Sequence, residues 1–153
     1  MKTNIKFYIV EALFKLLNDK NLKDITVSDI VDSANISRTS FYNNFKNITD
    51  VLNYKFDLII SDLYNIFKLN KLRKNDINML FREILKYIDN NKNKLSIIKN
   101  NFYLEFKDKL DIFFFSKIND RYKYIVYSGI ILNLCLFYIN NSYNIDIKKI
   151  KID

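Results

Sequence analysis

Residues 25–46, ITVSDIVDSANISRTSFYNNFK, constrain the fold more tightly than any other stretch of this 153-residue chain. They read as two short helices on either side of a tight turn, the first over about 26–33 and the second over about 37–45. Each has its own start signal. Thr26 stands three residues before Asp29, the spacing of a capping box, in which each side chain bonds the other's backbone N–H. Ser37 stands where a hydroxyl oxygen can take up one of the N–H groups that a helix start leaves unbonded. Val27, Ile30, Val31, Ala34, Ile36, Phe41 and Phe45 are spaced to close a small core between the two helices. Arg38, Thr39, Tyr42 and Asn43 are then left outside on the second helix. That row holds donors and one cation and no acid, which suits a helix lying in the major groove of DNA.

At these residues the chain resembles the TetR/AcrR family of bacterial transcriptional regulators. The resemblance rests on Thr26, Val27, Ile30, Ala34, Ile36, Ser37, Ser40, Phe41, Tyr42, Phe45, Lys46, Asp50 and Leu52, in order and spacing, and covers about residues 5–52. Two departures stand out. The usual turn glycine of the family is Asn35, a residue that also tolerates a left-handed backbone. The aromatic run after Tyr42 is replaced by Asn43 and Asn44. The resemblance implies an all-α chain, with a three-helix helix-turn-helix DNA-binding domain over 1–47 and a helical ligand-binding and dimerisation domain over 48–153. It also implies that Tyr42 and Lys46 touch the DNA backbone.

The individual donors keep more than one reading. Thr26 caps its helix, and the same hydroxyl and free N–H groups can meet a phosphate. Ser37 and Ser40 share that double role. Arg38 fits either a bidentate contact to guanine O6 and N7 or a phosphate contact. Thr39 lies beside it at the end of the helix that meets bases. Tyr42 serves either a phosphate or core packing. Asn43 has the amide that reads adenine. Lys46 precedes a further helix opened by Asn47 and Asp50, so its cation and that helix's dipole would face the same phosphate.

Composition supports helices throughout. The chain has no Pro and a single Gly, Gly129, so turns fall to Asn, Asp, Ser and Lys. The formal charge of +8 does not by itself mark a DNA reader. Residues 1–52 hold seven Lys/Arg against six Asp/Glu, and the basic excess lies beyond them. Much of it reads as solvated helix faces. Enzyme chemistry is not indicated: there is no His, no Gly-rich phosphate loop and no metal-ligand spacing, and no cofactor is expected. Cys135 is alone and sits in an apolar helix, as a small hydrophobe. No secretory signal fits the N-terminal residues. The longest apolar run, 124–139, is shorter than a membrane span and contains Asn133. A cytoplasmic protein without membrane contact is expected.

Further helices follow from periodicity. The first, about 3–18, shows an apolar face of Ile5, Tyr8, Ile9, Ala12, Leu13 and Leu16. The fourth, about 48–69, has a stripe of Leu52, Phe56, Ile59, Ile60, Leu63, Ile66 and Phe67. The fifth, about 76–89, repeats the pattern, with polar breaks at 70–75 and 90–94. One or two Phe-rich helices fall within 95–119. The last, about 120–140, is apolar on two sides, Ile125, Leu132 and Leu136 on one and Val126, Ile130, Leu134 and Phe137 on the other. One side can meet the chain's own core and the other a second copy, with Ser128 and Gly129 small enough for close approach. A homodimer through 120–140 and parts of 100–119 is the expectation, against a wholly internal central helix as the alternative. The residues 143–153 are too few for another long helix. The chain is therefore expected to be a transcriptional regulator on double-stranded DNA, a repressor released from a palindromic operator. Its C-terminal domain would take a small apolar or aromatic effector, or alternatively a protein coregulator.

Overall fold

The structure, a computed structural model, describes residues 4–72, 77–92, 95, 102–117 and 121–140. Every element of regular structure among them is helical: α1 (Ile5–Leu16), a 3-10 turn (Leu22–Asp24), α2 (Val27–Ala34), α3 (Arg38–Tyr42), α4 (Ile48–Leu72), α5 (Ile77–Asn90), α6 (Tyr103–Lys117) and α7 (Arg121–Asn140). The all-α class is as the sequence predicts. Two compact units divide the chain, Met1–Leu58 and Ile59–Asp153, and α4 contributes residues to both.

In the first unit, α2 packs on α1 and α3 packs on α2. Ile9, Leu13, Ile30, Phe41, Val51 and Phe56 are fully removed from solvent at its centre. Both predicted caps form. Thr26 Oγ1 accepts the Asp29 N–H (3.2 Å), and Asp29 Oδ2 accepts the Thr26 N–H (2.7 Å), which is the reciprocal pair of a capping box. The turn that follows is a full Schellman closure. Asn35 adopts φ 51° and ψ 51°, the left-handed region. Its N–H donates to the Asp32 carbonyl (3.2 Å), and the Ile36 N–H donates to the Val31 carbonyl (3.0 Å).

Three details depart from the periodicity. Helix α1 buries Val10 and Phe14 with Ile9, Ala12 and Leu13, whereas Tyr8 is exposed. Helix α3 ends at Tyr42 instead of running to 45, because Asn43 and Asn44 form a turn. That turn still buries Phe45, whose N–H donates to the Phe41 carbonyl (2.9 Å). Helix α4 runs on to Leu72, past the predicted break at 70. Residues 73–76 and 93–94 of the predicted breaks, and the C-terminal residues 143–153, lie outside the described residues.

The second unit is built from the rest of α4 with α5, α6 and α7, α7 packing on both α5 and α6. Aromatic rings join three of these helices. Phe67 lies 4.0 Å from Tyr127 and 5.8 Å from Phe114, centroid to centroid, and Tyr64 lies 5.4 Å from Phe113. The Tyr87 hydroxyl donates to Asp62 Oδ2 (3.1 Å), tying α5 to α4. Burial and the neighbouring Asp62 carboxylate hold the phenol of Tyr87 above its ordinary range. Cys135 is fully buried, and burial pushes its thiol up to about 12. That leaves it protonated and inert at neutral pH, as a core residue.

The α2 cap carries a testable electrostatic consequence. Hydrogen bonds from the Thr26 hydroxyl (2.7 Å) and N–H hold the Asp29 carboxyl well below its ordinary value, and Lys20 adds an ion pair at 3.0 Å. A depressed folded-state value means this stabilisation is fully present above the unfolded value, near pH 4, and is lost as pH falls towards the folded one. Asp29→Asn should therefore flatten the stability profile below about pH 4. Thermal melts from pH 6 to pH 2 check this, and identical acid slopes for variant and wild type would refute the cap's role.

Candidate nucleic-acid interface

Helix α3 has one buried face and one open face. Phe41 is fully buried and locks the helix down, with Phe45 at 6.3 Å between ring centroids. Arg38, Thr39, Tyr42 and Asn43 are all exposed. The Tyr42 ring stands edge-on to Phe41, with centroids 5.4 Å apart, so the phenol projects from a fixed base. It is 57% exposed, which sets it apart from a core tyrosine.

The hydroxyls at the start of α3 are committed to local bonds. Ser37 Oγ accepts the Ser40 N–H (3.1 Å), and the Ser37 hydroxyl donates to Ser40 Oγ (3.0 Å). Ser40 is half-buried and its carbonyl accepts from the Asn44 amide (2.7 Å). Arg38 reaches across to α2 and donates through Nη2 to Ser28 Oγ. Nothing in the sequence points to this link, because the two residues lie ten positions apart on different helices. It holds one end of the guanidinium while leaving further donors on the group for a ligand.

The chain then passes to α4 through a second cap. Asn47 Oδ1 accepts the Asp50 N–H (2.8 Å), as predicted. Asp50 Oδ2 in return accepts the N–H of Lys46 (3.1 Å), one residue earlier than in a standard box. The backbone of Lys46 is thereby fixed while its side chain remains exposed. Tyr42, Asn43, Phe45 and Lys46 line one open cleft of about 470 Å³ together with Lys6, Asp50, Asn53, Tyr54 and Asp57. The structure thus brings Tyr42, Asn43 and Lys46 to one place. Thr26, Ser37, Arg38, Thr39 and Ser40 do not line that cleft.

Lys6 does not stand out in the sequence. In the structure its ammonium lies over two rings, 5.1 Å from the centroid of Tyr54 and 5.7 Å from that of Phe45. Residues from α1, the α3–α4 turn and α4 make this box, so no single helical pattern could have revealed it. Elsewhere, no group of three or more His, Cys, Asp or Glu among the described residues could hold a metal ion. No helix among them is long and apolar enough to cross a membrane.

Comparison with known proteins bears on the fold and on the helix-turn-helix segment. Residues 9–54 match the family model for bacterial regulatory proteins of the tetR family. The HTH-type dhaKLM operon transcriptional activator DhaS of Lactococcus lactis is 31% identical over 97 residues, which is 61% of this chain and 50% of that protein. The chain thus matches about half the length of this curated relative. A transcriptional regulator from Aquifex aeolicus VF5, assigned to the TerR/AcrR family, superposes with a TM-score of 0.66. That match covers 97% of this chain and 91% of the other at 21% identity, a likeness of fold.

Proposed function

We propose that this chain, which belongs to the TetR/AcrR family of transcriptional regulators, is a homodimeric regulator that binds a pseudo-palindromic operator and is released from it by an effector. DNA reading is assigned to residues 1–47, and dimerisation and control to 48–153. The observation that carries this reading is helix α3, anchored by a fully buried Phe41 and open along Arg38, Thr39, Tyr42 and Asn43. Arg38, Thr39 and Asn43 face base edges. Tyr42 and Lys46 hold the backbone, and Thr26, Ser37 and Ser40 fix the helix starts beside it: the hydroxyl hydrogens of Thr26 and Ser37 are spent on Asp29 and Ser40, and that of Ser40 is the one to donate to a phosphate.

A second copy is supported by where the apolar surface lies. Among the described residues, Leu104, Ile112 and Phe115 of α6 and Tyr122, Ile125, Val126 and Phe137 of α7 are large, apolar and exposed. Positions 104, 112 and 115 share one face of α6, and 122, 126, 129 and 137 share one face of α7. A Cβ placed on Gly129 would meet nothing within 4 Å, so this part of the face is open. Asn133 turns its amide back onto the Gly129 carbonyl (2.8 Å), which commits one of its two N–H donors within the helix. Ser128, by contrast, is buried within the chain, so of the two small residues Gly129 alone serves the outer face. Exposed apolar area of this kind marks an interface, and a two-fold dimer covers the same patch on both copies.

Release by an effector requires that the effector bind the state that does not fit DNA more tightly than the state that does. Helix α4, which belongs to both units, is the element through which such a bias would pass. A second reading, an activator in place of a repressor, is favoured by one observation: the curated relative is named a transcriptional activator. A promoter reporter with and without the protein separates the two by the sign of the change.

Gel-shift titration against DNA from the gene's own upstream region tests the main reading. Binding should weaken steeply with salt. Arg38→Ala should relax base preference by about 1–3 kcal/mol at one position of each half-site. Lys46→Ala should weaken all sequences alike and lower the salt slope by about 0.9 per subunit. A protein that never prefers its own upstream DNA over random DNA is not this regulator.

A further inference from the structure

We infer that Lys6, on α1, is a further DNA-backbone contact, held ready for a phosphate by the ring faces of Phe45 and Tyr54. The inference rests on the DNA reading of α3 and adds to it a residue from a different helix. Three observations meet at this lysine. Its ammonium lies within 5.1–5.7 Å of two ring centroids, a distance at which the negative faces of aromatic rings attract a cation. The side chain is half-buried, so its stem has already lost much of the freedom that a surface lysine gives up when it binds. It also lines the cleft that contains Tyr42, Asn43 and Lys46, the residues assigned to DNA.

The rings differ from a carboxylate partner in what they leave behind. An ion pair neutralises a lysine and occupies its N–H donors. A ring face attracts the charge but takes no conventional hydrogen bond, so the three donors of the ammonium remain for oxygen atoms. Among the described residues, no salt bridge pairs Lys6 with an acid. Two carboxylates do line the cleft, Asp50 and Asp57. Asp50 is engaged with the Lys46 N–H. Asp57 is seven residues further along α4, about 10 Å at the rise of a helix, and marks the end away from Lys46. A phosphate is therefore expected at the end of the cleft near Tyr42 and Lys46, with Lys6 closing its side.

The experiment compares full-length wild type with Lys6→Gln and Lys6→Arg, by fluorescence anisotropy on the upstream DNA and on a scrambled duplex over a range of salt. Each phosphate left without its cation should lower the slope of log K against log salt by about 0.9. Lys6→Gln should therefore lower it by about 0.9 for each bound subunit, which is a weakening of about eightfold per phosphate at 0.1 M salt relative to 1 M. The effect should be equal for both duplexes, and Lys6→Arg should keep the wild-type slope. Lys15 is exposed on the same helix, nine residues on and about half a turn around, so Lys15→Gln serves as the control and should leave the slope unchanged. Circular dichroism establishes that each variant is folded, and should Lys6→Gln be unstable, Lys6→Met keeps the length and apolar stem of the side chain. A folded variant without Lys6 that retains the wild-type slope overturns the inference and leaves the regulator reading intact. Wild type that shows no preference for its own DNA overturns both.

Discussion

Phe41→Ala is expected to be the most damaging single change in the first unit. The ring is fully buried and packs beside both Phe45 and Tyr42. Truncation removes its transfer energy and leaves a hole that a five-residue helix with one buried face cannot refill. Phe→Ala changes of this kind cost about 3–5 kcal/mol, against a whole-domain stability of about 5–15 kcal/mol. A chemical-denaturation curve should show the destabilisation directly. DNA binding should fall with it, because the same ring anchors the base of Tyr42. A variant that melts with the wild type would show that α3 is held by something other than this core.

Val126→Glu is expected to act on the other unit and in the opposite way: the chain folds, but the assembly fails. Val126 is about half exposed in the single chain, so the carboxylate stays hydrated there and circular dichroism should be unchanged. Across a two-fold interface the same carboxylate meets apolar surface and, near the axis, its own copy. An uncompensated buried charge costs about 3–5 kcal/mol, or roughly two to four powers of ten in the dimer constant at about 1.4 kcal/mol per tenfold. Sedimentation at micromolar concentration should then find monomer in place of dimer. On the proposed dimeric reading operator affinity should fall as well, since each monomer would meet only half a site. A variant that sediments as the wild type does would remove α7 from the interface and leave the central-helix alternative in its place.

The parts of the molecule that are legible in its sequence are those whose causes are local. The Thr26–Asp29 pair, the Ser37 cap and the left-handed Asn35 each depend on residues within a few positions, and all three form. The end of α3 is hidden because Phe45 lies four residues after Phe41, a spacing that a helix and the observed turn share. The buried face of α1 departs from its periodicity because Phe7, Tyr8, Val10 and Phe14 make that helix apolar nearly all round, so spacing alone cannot choose which to bury. Ser128 and Gly129 are equivalent by size, yet one is buried and the other open. The Arg38–Ser28 bond and the Lys6 ring box are illegible for a different reason. They join elements that only the tertiary fold brings together.

The turn at Asn35 separates two properties that a DNA reader would otherwise have to change together. The path from α2 into α3 is set by one backbone conformation and two main-chain bonds, to Val31 and Asp32. Side chains at 39 and 43 take no part in it. On the proposed reading, the docking angle can therefore stay constant while the side chains at 39 and 43 are exchanged, so that descendants of this protein would acquire new operators without rebuilding the domain. The tolerated alphabet at position 35 itself is narrow: glycine, asparagine or aspartate keep the angle, and a β-branched residue would move the whole open face of α3 at once.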